Sequence, residues 1–332
     1  MWSTTLLASV WWCGEAVGQD PSGAFYDLET AAAQPSDVRA LDLGSTRLTP
    51  EAARVILGFL NLETLRVDPT GIEGVLEDVD RLAALKDLDI GHAEPGTSLL
   101  TLPQGVSRLD RLESLNLNGH PKLEWSRIFG ALGALPRLNN LAIMNNGIVT
   151  LPRAIRELTE LRSVWLGGNL ELEGRETFVT LSTLRLTALG LGGNQMRALP
   201  TEVEGLVELE TLWLAGNRIE SVESLAPLVS LTALVLSRNQ LDVLPVGLSH
   251  LAVQSLALDE NPDLDLSTAL VTLSEMPRLT ALSLRANNLE SLPRTAELLT
   301  RLRVLDLRDN PMSAEEVDRL RTLLPDTRIL FD

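Results

Sequence analysis

The chain has 332 residues, of which 45 % are hydrophobic but only 4 % aromatic, so its core must be filled by one aliphatic shape used repeatedly. A formal net charge of −17 repels phosphate backbones and anionic bilayers, which argues against a nucleic-acid partner and keeps an open molecule from self-associating. The one cysteine, Cys13, excludes an intrachain disulfide framework or a thiolate metal site.

Residues 1–18 read as an export signal. Leu6 to Cys13 (LLASVWWC) is an apolar run too short to span a bilayer. Ala16-Val17-Gly18 follows as a small-x-small pattern, with cleavage expected after Gly18. Met1 to Thr5 carries no Lys or Arg, a departure from such signals. Two other readings stand beside this one. Cys13 as a lipid anchor makes Gly14 to Gly23 a tether, although Trp12 stands where a small residue is usual. An ordinary N-terminal segment makes the protein cytoplasmic. The expected location is secreted or cell envelope, with the cytoplasm as the alternative, and no segment reads as a membrane span.

Residues 19–37 read as an N-terminal cap, 38–312 as repeats and 313–332 as a C-terminal cap helix and tail. From Val38 the pattern L-x-x-L-x-L-x-x-N-x-L recurs in twelve segments, among them VRALDLGSTRL from Val38, LETLWLAGNRI from Leu209 and LRVLDLRDNPM from Leu302. The mean period is about 24 residues, that of a stacked-coil architecture. In L-x-L the leucines lie two apart, so on a strand they share the core face and the residue between them points outward. Asn tolerates the turn that follows, and its amide has the donors and the acceptor needed to satisfy backbone groups that the turn leaves unpaired. The ladder position is held by Asn146, Asn169, Asn194, Asn217, Asn239, Asn261, Asn287 and Asn310, but by Thr46, Thr70, Ala93 and His120 in the first four repeats. Ala93 makes no such bond, so the least regular loop is expected at about 92–99, with insertions bulging after Ala93, His120 and Asn261. At the C-terminus, Ser313-Ala314-Glu315-Glu316 reads as a capping box opening a helix with Val317, Leu320, Leu323 and Leu324 on one face.

These segments resemble the leucine-rich-repeat proteins over about residues 24–332. LPRAIRELTEL from Leu151, LPTEVEGLVEL from Leu199 and LPVGLSHL from Leu244 resemble the subclass with L-P-x-x-[IVL]-x-x-L-x-x-L legs. The opening Tyr26-Asp27-Leu28-Glu29-Thr30-Ala31 and the closing Asn310-Pro311-Met312-Ser313 are similar to the ends of bacterial secreted or lipid-anchored members. The resemblance implies an α/β solenoid, a horseshoe with a concave parallel sheet and short helical or 3₁₀ legs on the convex side. It implies a non-enzymatic scaffold that recognises a protein or peptide along the concave face. An intracellular scaffold or host-targeted effector of the same fold is the alternative.

The central outward row runs Asp42, Arg66, Asp89, Asn116, Ala142, Trp165, Gly190, Trp213, Val235, Ala257, Ser283, Asp306. By alternation Trp165 and Trp213 are exposed, with Gly190 between them, Gly167 and Gly192 in the next column, and Met144 and Val235 flanking. The expectation is an apolar slot with two aromatic walls and a bare floor, since exposed apolar patches and tryptophan mark interaction sites. The alternative is that each indole folds flat over the glycines. Asp42, Asp68, Asp87 and Asp89 invite a calcium reading, but Arg66 lies among them and no calcium-loop spacing is present, so a solvated acidic face is expected. His92 and His120 fall near one turn of adjacent repeats, out of register and without a third ligand. No metal, cofactor or catalytic residue is expected.

Overall fold

The computed structural model describes residues 24–91 and 98–332. The expected export signal, Cys13, His92 and most of the irregular stretch expected at 92–99 therefore lie outside the described residues. The chain divides into two compact units, Met1–Ile148 with Pro152–Trp165, and Val149–Leu151 with Leu166–Asp332.

In the first unit the described strands are β1 (Ala24–Phe25), β2 (Ala40–Asp42), β3 (Thr64–Arg66), β4 (Asp87–Asp89), β5 (Ser114–Asn116), β6 (Asn140–Ala142) and β7 (Ser163–Trp165). In the second they are β8 (Ala188–Gly190), β9 (Thr211–Trp213), β10 (Ala233–Val235), β11 (Ser255–Ala257), β12 (Ala281–Ser283), β13 (Val304–Asp306) and β14 (Arg328–Leu330). Within each unit the strands pair in parallel with their neighbours in chain order, in register. The middle residue of each full repeat strand is a buried Leu or Val, from Leu41 to Leu305. The short edge strands β1 and β14 extend the pairing beyond the twelve expected repeats. They carry no L-x-x-L-x-L pattern, which is why sequence alone misses them.

The legs that return the chain to the next strand differ between repeats. Where 23 residues separate Asn194 from Asn217, the leg is a 3₁₀ turn, Thr201–Gly205, entered through Pro200. Proline fixes φ for that entry and gives up an N–H that a helix start leaves unpaired anyway. Where 26 residues separate His120 from Asn146, and again Asn261 from Asn287, the leg is an α-helix: α1 (Trp125–Leu132) and α2 (Leu266–Glu275). The insertions expected to bulge after His120 and Asn261 therefore lengthen a helix. Extra residues complete another hydrogen-bonded turn and bury Ile128, Phe129, Leu270 and Leu273 on its inner side.

After each strand from β5 to β13 the chain passes through one residue of positive φ into the ladder position. That residue is Gly119, Gly168, Gly193 or Gly216 in four repeats, but Asn145, Arg238, Glu260, Ala286 or Asp309 in others. The ladder asparagine then bridges successive coils. Asn217 is the clearest case: Oδ1 accepts from the backbone N–H groups of Asn194 (3.0 Å) and Met196 (3.0 Å), while Nδ2 donates to the carbonyls of Leu191 (2.9 Å) and Leu214 (2.8 Å). Asn310 repeats this with Asn287, Leu289, Leu284 and Leu307. Asn169 opens the ladder of the second unit. It is fully buried, its Nδ2 donates to the Leu166 carbonyl at 2.7 Å, and its backbone N–H donates to Asn194 Oδ1 at 2.7 Å. In the first unit Asn146 Oδ1 accepts from the His120 N–H at 2.5 Å, and its Nδ2 donates to the Leu117 carbonyl at 3.0 Å.

His120 does the same work with a ring. It is fully buried, its Nδ1 accepts from the Leu99 N–H at 3.2 Å, and its Nε2 lies 2.6 Å from the Ile90 carbonyl oxygen. That pair of contacts fixes the tautomer with the proton on Nε2. The histidine at this position is thus a ladder residue of longer reach, and its nitrogens are directed at the backbone.

The C-terminal cap is α3 (Ala314–Leu323), with Val317 and Leu320 buried and Leu324 beside them. Ser313 Oγ accepts from the Glu316 N–H at 3.2 Å. The reciprocal half of the expected capping box is replaced, because Glu316 Oε1 accepts from the Leu292 N–H at 3.0 Å and its carboxylate pairs with Arg319. The helix is tied to the preceding repeat instead of to its own first turn.

Two stability changes follow. Asn217→Ala leaves the N–H groups of Asn194 and Met196 without an acceptor, while the Leu191 and Leu214 carbonyls keep Asn194 Nδ2 and Asn239 Nδ2, and should lower the unfolding free energy of the second unit by about 2 kcal/mol or more, read as a lower urea midpoint. Ala286→Gly removes a side chain from φ +51° and should raise it by about 0.5–1 kcal/mol. A neutral result for Asn217→Ala contradicts the ladder assignment.

Candidate functional site

The last residue of each strand forms one row across the open face of the sheet. In the first unit the row runs from Asp42 to Trp165, and in the second from Gly190 to Asp306, each residue opposite the next across the pairing. A second row lies two residues further on, pointing to the same side. It holds Gly44, Asp68, Gly91, Asn118 and Met144 in the first unit, and Gly192, Ala215, Ser237, Asp259, Arg285 and Arg308 in the second.

Trp165 lies in the first unit and is 5 % exposed, not the open wall that strand alternation predicts. Its ring leans back over β6, where Nε1 donates to Asn140 Oδ1 at 3.2 Å. The residue opposite it, Ala142, is 1 % exposed and small enough to admit the indole. Met144, in the same unit, is half-buried, and its backbone N–H donates to Asn118 Oδ1 at 2.6 Å.

Gly167, Gly190, Gly192, Trp213 and Val235 lie in the second unit. Trp213 is half-buried and leans toward β8: a Cβ built on Gly192 would stand 3.0 Å from both Cδ1 and Nε1 of the indole. The space above Gly192 is thus filled by the Trp213 ring, where a bare floor was expected. Gly167 and Gly190 are buried and Val235 is half-buried. The rest of the face around Trp213 carries the short side chains of Ala188, Thr211, Ala215, Ala233 and Ala257. The row then turns polar. Asp259 accepts from Ser237 Oγ (3.1 Å), from Ser283 Oγ and from the Arg285 N–H (2.9 Å), tying three repeats together. Arg285 pairs with Asp309 and Arg308 with Asp306.

The polar half of the first unit is not the solvated acidic face expected from sequence. Asp68 is 3 % exposed and Asp89 7 %. Each folds one carboxyl oxygen back onto the chain: Asp68 Oδ1 accepts from the Thr70 N–H at 2.8 Å, and Asp89 Oδ1 from the Gly91 N–H at 3.0 Å. Arg66 bridges Asp42 and Asp89 at 3.5 Å each. Lys86 Nζ lies 2.6 Å from Glu63, whose carboxyl is held below its usual range by that ammonium, while Lys86 is raised in return. Burial pushes the Asp87 carboxyl up, and the Glu113 and Glu63 charges add to this against the Thr64 hydrogen bond and the Lys86 charge. Among the described residues no group of three His, Cys, Asp or Glu is placed to hold a metal ion. His250 Nε2 lies 3.1 Å from the Ala226 carbonyl oxygen.

No family model and no curated protein matches the chain, but solved structures do. An internalin from Listeria monocytogenes is 20 % identical, with 92 % of this chain and 93 % of the internalin covered and a TM-score of 0.56. The leucine-rich-repeat ectodomain of a plant membrane receptor kinase from Arabidopsis thaliana, solved in complex with Casparian strip integrity factor 2, is 21 % identical with a TM-score of 0.50. That match covers 88 % of this chain and 37 % of the ectodomain. A leucine-rich-repeat protein of Leptospira interrogans is 23 % identical, with 92 % and 99 % covered and a TM-score of 0.49. The chain has the leucine-rich-repeat fold. At these identities the likeness extends to the fold.

In a leucine-rich-repeat chain the outward rows are readable from sequence, and they land where the pattern puts them. The direction in which a side chain leans is not readable, because it depends on the size of its neighbour in the next repeat. Asn140 and Asp259 were not singled out from sequence. The signal for both was a polar side chain in an outward column beside a donor one repeat away.

Three outcomes follow. Trp165→Ala should destabilise the first unit by about 3 kcal/mol, as for other buried aromatics. Gly192→Ala puts a Cβ 2.9 Å from the Ala215 carbonyl oxygen and 3.0 Å from the Trp213 ring, so it should both shift the indole N–H resonance and destabilise the second unit by about 1–3 kcal/mol. Asp87 has a folded pKa above its unfolded one, so its ionised form opposes folding above that range. Asp87→Asn should therefore stabilise the first unit at neutral pH, with the gain vanishing as pH falls below about 3.8, the ordinary aspartate value. An equal gain at pH 3 contradicts the burial argument.

Proposed function

We propose that the protein is a recognition scaffold, without catalytic chemistry of its own, that binds a protein or peptide along the open face of its sheet. The observation that carries this reading is Trp213. A half-buried indole lies over Gly192 amid short side chains, so an aromatic surface is offered at the level of the sheet. Tryptophan contributes a large apolar area with little rotamer entropy, and such residues dominate binding at protein interfaces. The fold supports the reading, since stacked repeats expose a continuous surface made for extended contacts. The plant ectodomain that shares this fold is seen in complex with a factor, which supports the same use here. In the second unit Trp213, Gly192, Gly190 and Val235, with Gly167 nearby, are the proposed contact residues. In the first unit they are Met144 and the largely buried Trp165.

The proposed location is the cell envelope or the exterior. Leu6 to Gly18 reads as an export signal, and Cys13 as a lipid anchor is the variant of that reading. Among the described residues no helix is long and apolar enough to cross a membrane.

Two measurements test these readings. In affinity capture with the mature chain, Trp213→Ala should reduce recovery of a specific partner about tenfold or more, and full recovery overturns the Trp213 assignment. Sequencing the native N-terminus should give Gln19. An intact Met1 or Trp2 overturns export and favours an intracellular scaffold or host-targeted effector.

A further inference from the structure

β14 is the last strand of the second unit, and one of its edges has no neighbour among the described residues. On its paired side the Arg328 N–H donates to the Arg303 carbonyl at 2.8 Å, and the Leu330 carbonyl accepts from the Leu307 N–H at 2.9 Å. Backbone groups alternate in direction along a strand, so the N–H and C=O of Ile329 and Phe331 point to the free edge. Such an edge is a template for another strand. The side chains there are also incompletely covered. Leu305 and Leu307, which β13 turns inward, are buried, whereas Ile329, opposite Leu305, is half-buried, as are Phe331 and Leu323. The last coil therefore leaves apolar surface that a repeat normally gives to its neighbour.

The sequence of this edge indicates what fits it. Residues 328–332 read Arg-Ile-Leu-Phe-Asp, an apolar centre between opposite charges. Arg328 is exposed and makes no ion pair among the described residues. Asp332 is exposed as well, and only one of its carboxyl oxygens is engaged, by the Asp309 N–H. Only residues with free backbone groups can exchange hydrogen bonds across the edge. In antiparallel pairing with a second copy, Ile329 against Ile329 sets Asp326 against Asp332, and like charges directly opposite repel. Phe331 against Phe331 sets the Asp332 carboxylate against Leu330. Ile329 against Phe331 gives every free group a partner, sets Leu330 against its own copy, and brings Arg328 of each chain opposite Asp332 of the other.

We propose that the free edge of β14 pairs with the same edge of a second copy of this chain, antiparallel about Leu330, to give a two-fold dimer. A two-fold contact needs a self-complementary surface, and the charge order from Arg328 to Asp332 supplies one. The net charge of −17 on each copy opposes association. The dimer is accordingly weak and forms in the micromolar range, once salt screens the long-range repulsion. The pairing uses the edge of the sheet and leaves its open face free, so it stands apart from the scaffold reading.

The test is sedimentation velocity of the full chain at about 0.15 M salt and up to about 100 µM protein. The wild-type chain should shift toward dimer as concentration rises. Arg328→Glu and Asp332→Arg should each weaken the dimer about tenfold, because each sets like charges opposite one another at both ends. Mixing the two variants should restore it, since both contacts are then between opposite charges. One variant gains two negative charges and the other loses two, so the mixed pair carries the net charge of two wild-type copies. Asp332→Arg also loses the Asp309 bond, and Phe331→Pro gives a check that avoids this: it removes a free-edge N–H, keeps the pairing to β13, and should abolish the dimer. Leu330→Cys in a Cys13→Ser background reads the register. Across a non-hydrogen-bonded antiparallel pair the Cα atoms stand about 4.5 Å apart, within disulfide reach, so mild oxidation should link two copies, whereas Ile329→Cys should not. A chain that stays monomeric over this range overturns the proposal. A dimer that survives both Arg328→Glu and Phe331→Pro overturns it too, because it then forms elsewhere. So does a mixture no tighter than either charge variant alone, with both folded by circular dichroism.

Discussion

The regular part of this molecule depends on one buried exchange of hydrogen bonds at the turn after each strand from β5 to β13. A three-residue strand followed by a tight turn leaves carbonyl and N–H groups inside the coil with no regular partner, and a buried backbone group without a partner is costly. An asparagine at that point donates to the coil before it and to its own strand end, and accepts from the backbone of its neighbours. Asn169, Asn194, Asn217, Asn239, Asn261, Asn287 and Asn310 form this chain of contacts in the second unit, each joined to the next repeat or the one before. Because each repeat satisfies its neighbour, adjacent strands cannot slip. The register of the outward rows, and so the composition of the open face, is a consequence of the ladder.

The exception at His120 makes the same point. An imidazole in one tautomer offers one donor and one acceptor, as an amide does, but it reaches further. It stands where two backbone groups, Ile90 and Leu99, lie on either side of a longer repeat. A histidine pair on adjacent turns suggests a metal when read as a list of ligands. Read as a ladder position, the same residue has no nitrogen to give to one.

The repeat, its period, the buried leucines and the outward rows were legible in the sequence, because each follows from a spacing of two on a strand or from the turn chemistry of asparagine. Three things were not. The edge strands β1 and β14 have no repeat pattern and form only because a paired neighbour offers them an edge. The insertions after His120 and Asn261 become helix, because the chain can bury an apolar face against the coil there. The tryptophans lean onto a neighbouring repeat. Trp165 finds an acceptor in Asn140 and a gap over Ala142, and Trp213 finds one over Gly192. Alternation says which side of the sheet a residue is on, whereas exposure depends on what stands next to it in the adjacent repeat. The acidic residues differ for the same reason: Asp68 and Asp89 are drawn down onto the backbone and buried.

The central claim is that partners engage the open sheet face and not the return legs. The most direct measurement is a methyl and indole NMR map of the chain with and without a bound partner. The account predicts shifts of the Trp213 indole N–H and the Val235 and Met144 methyls, while the exposed leg residues Val246 and Leu298 stay in place. Shifts confined to Val246 and Leu298, with Trp213 and Val235 unmoved, would contradict it.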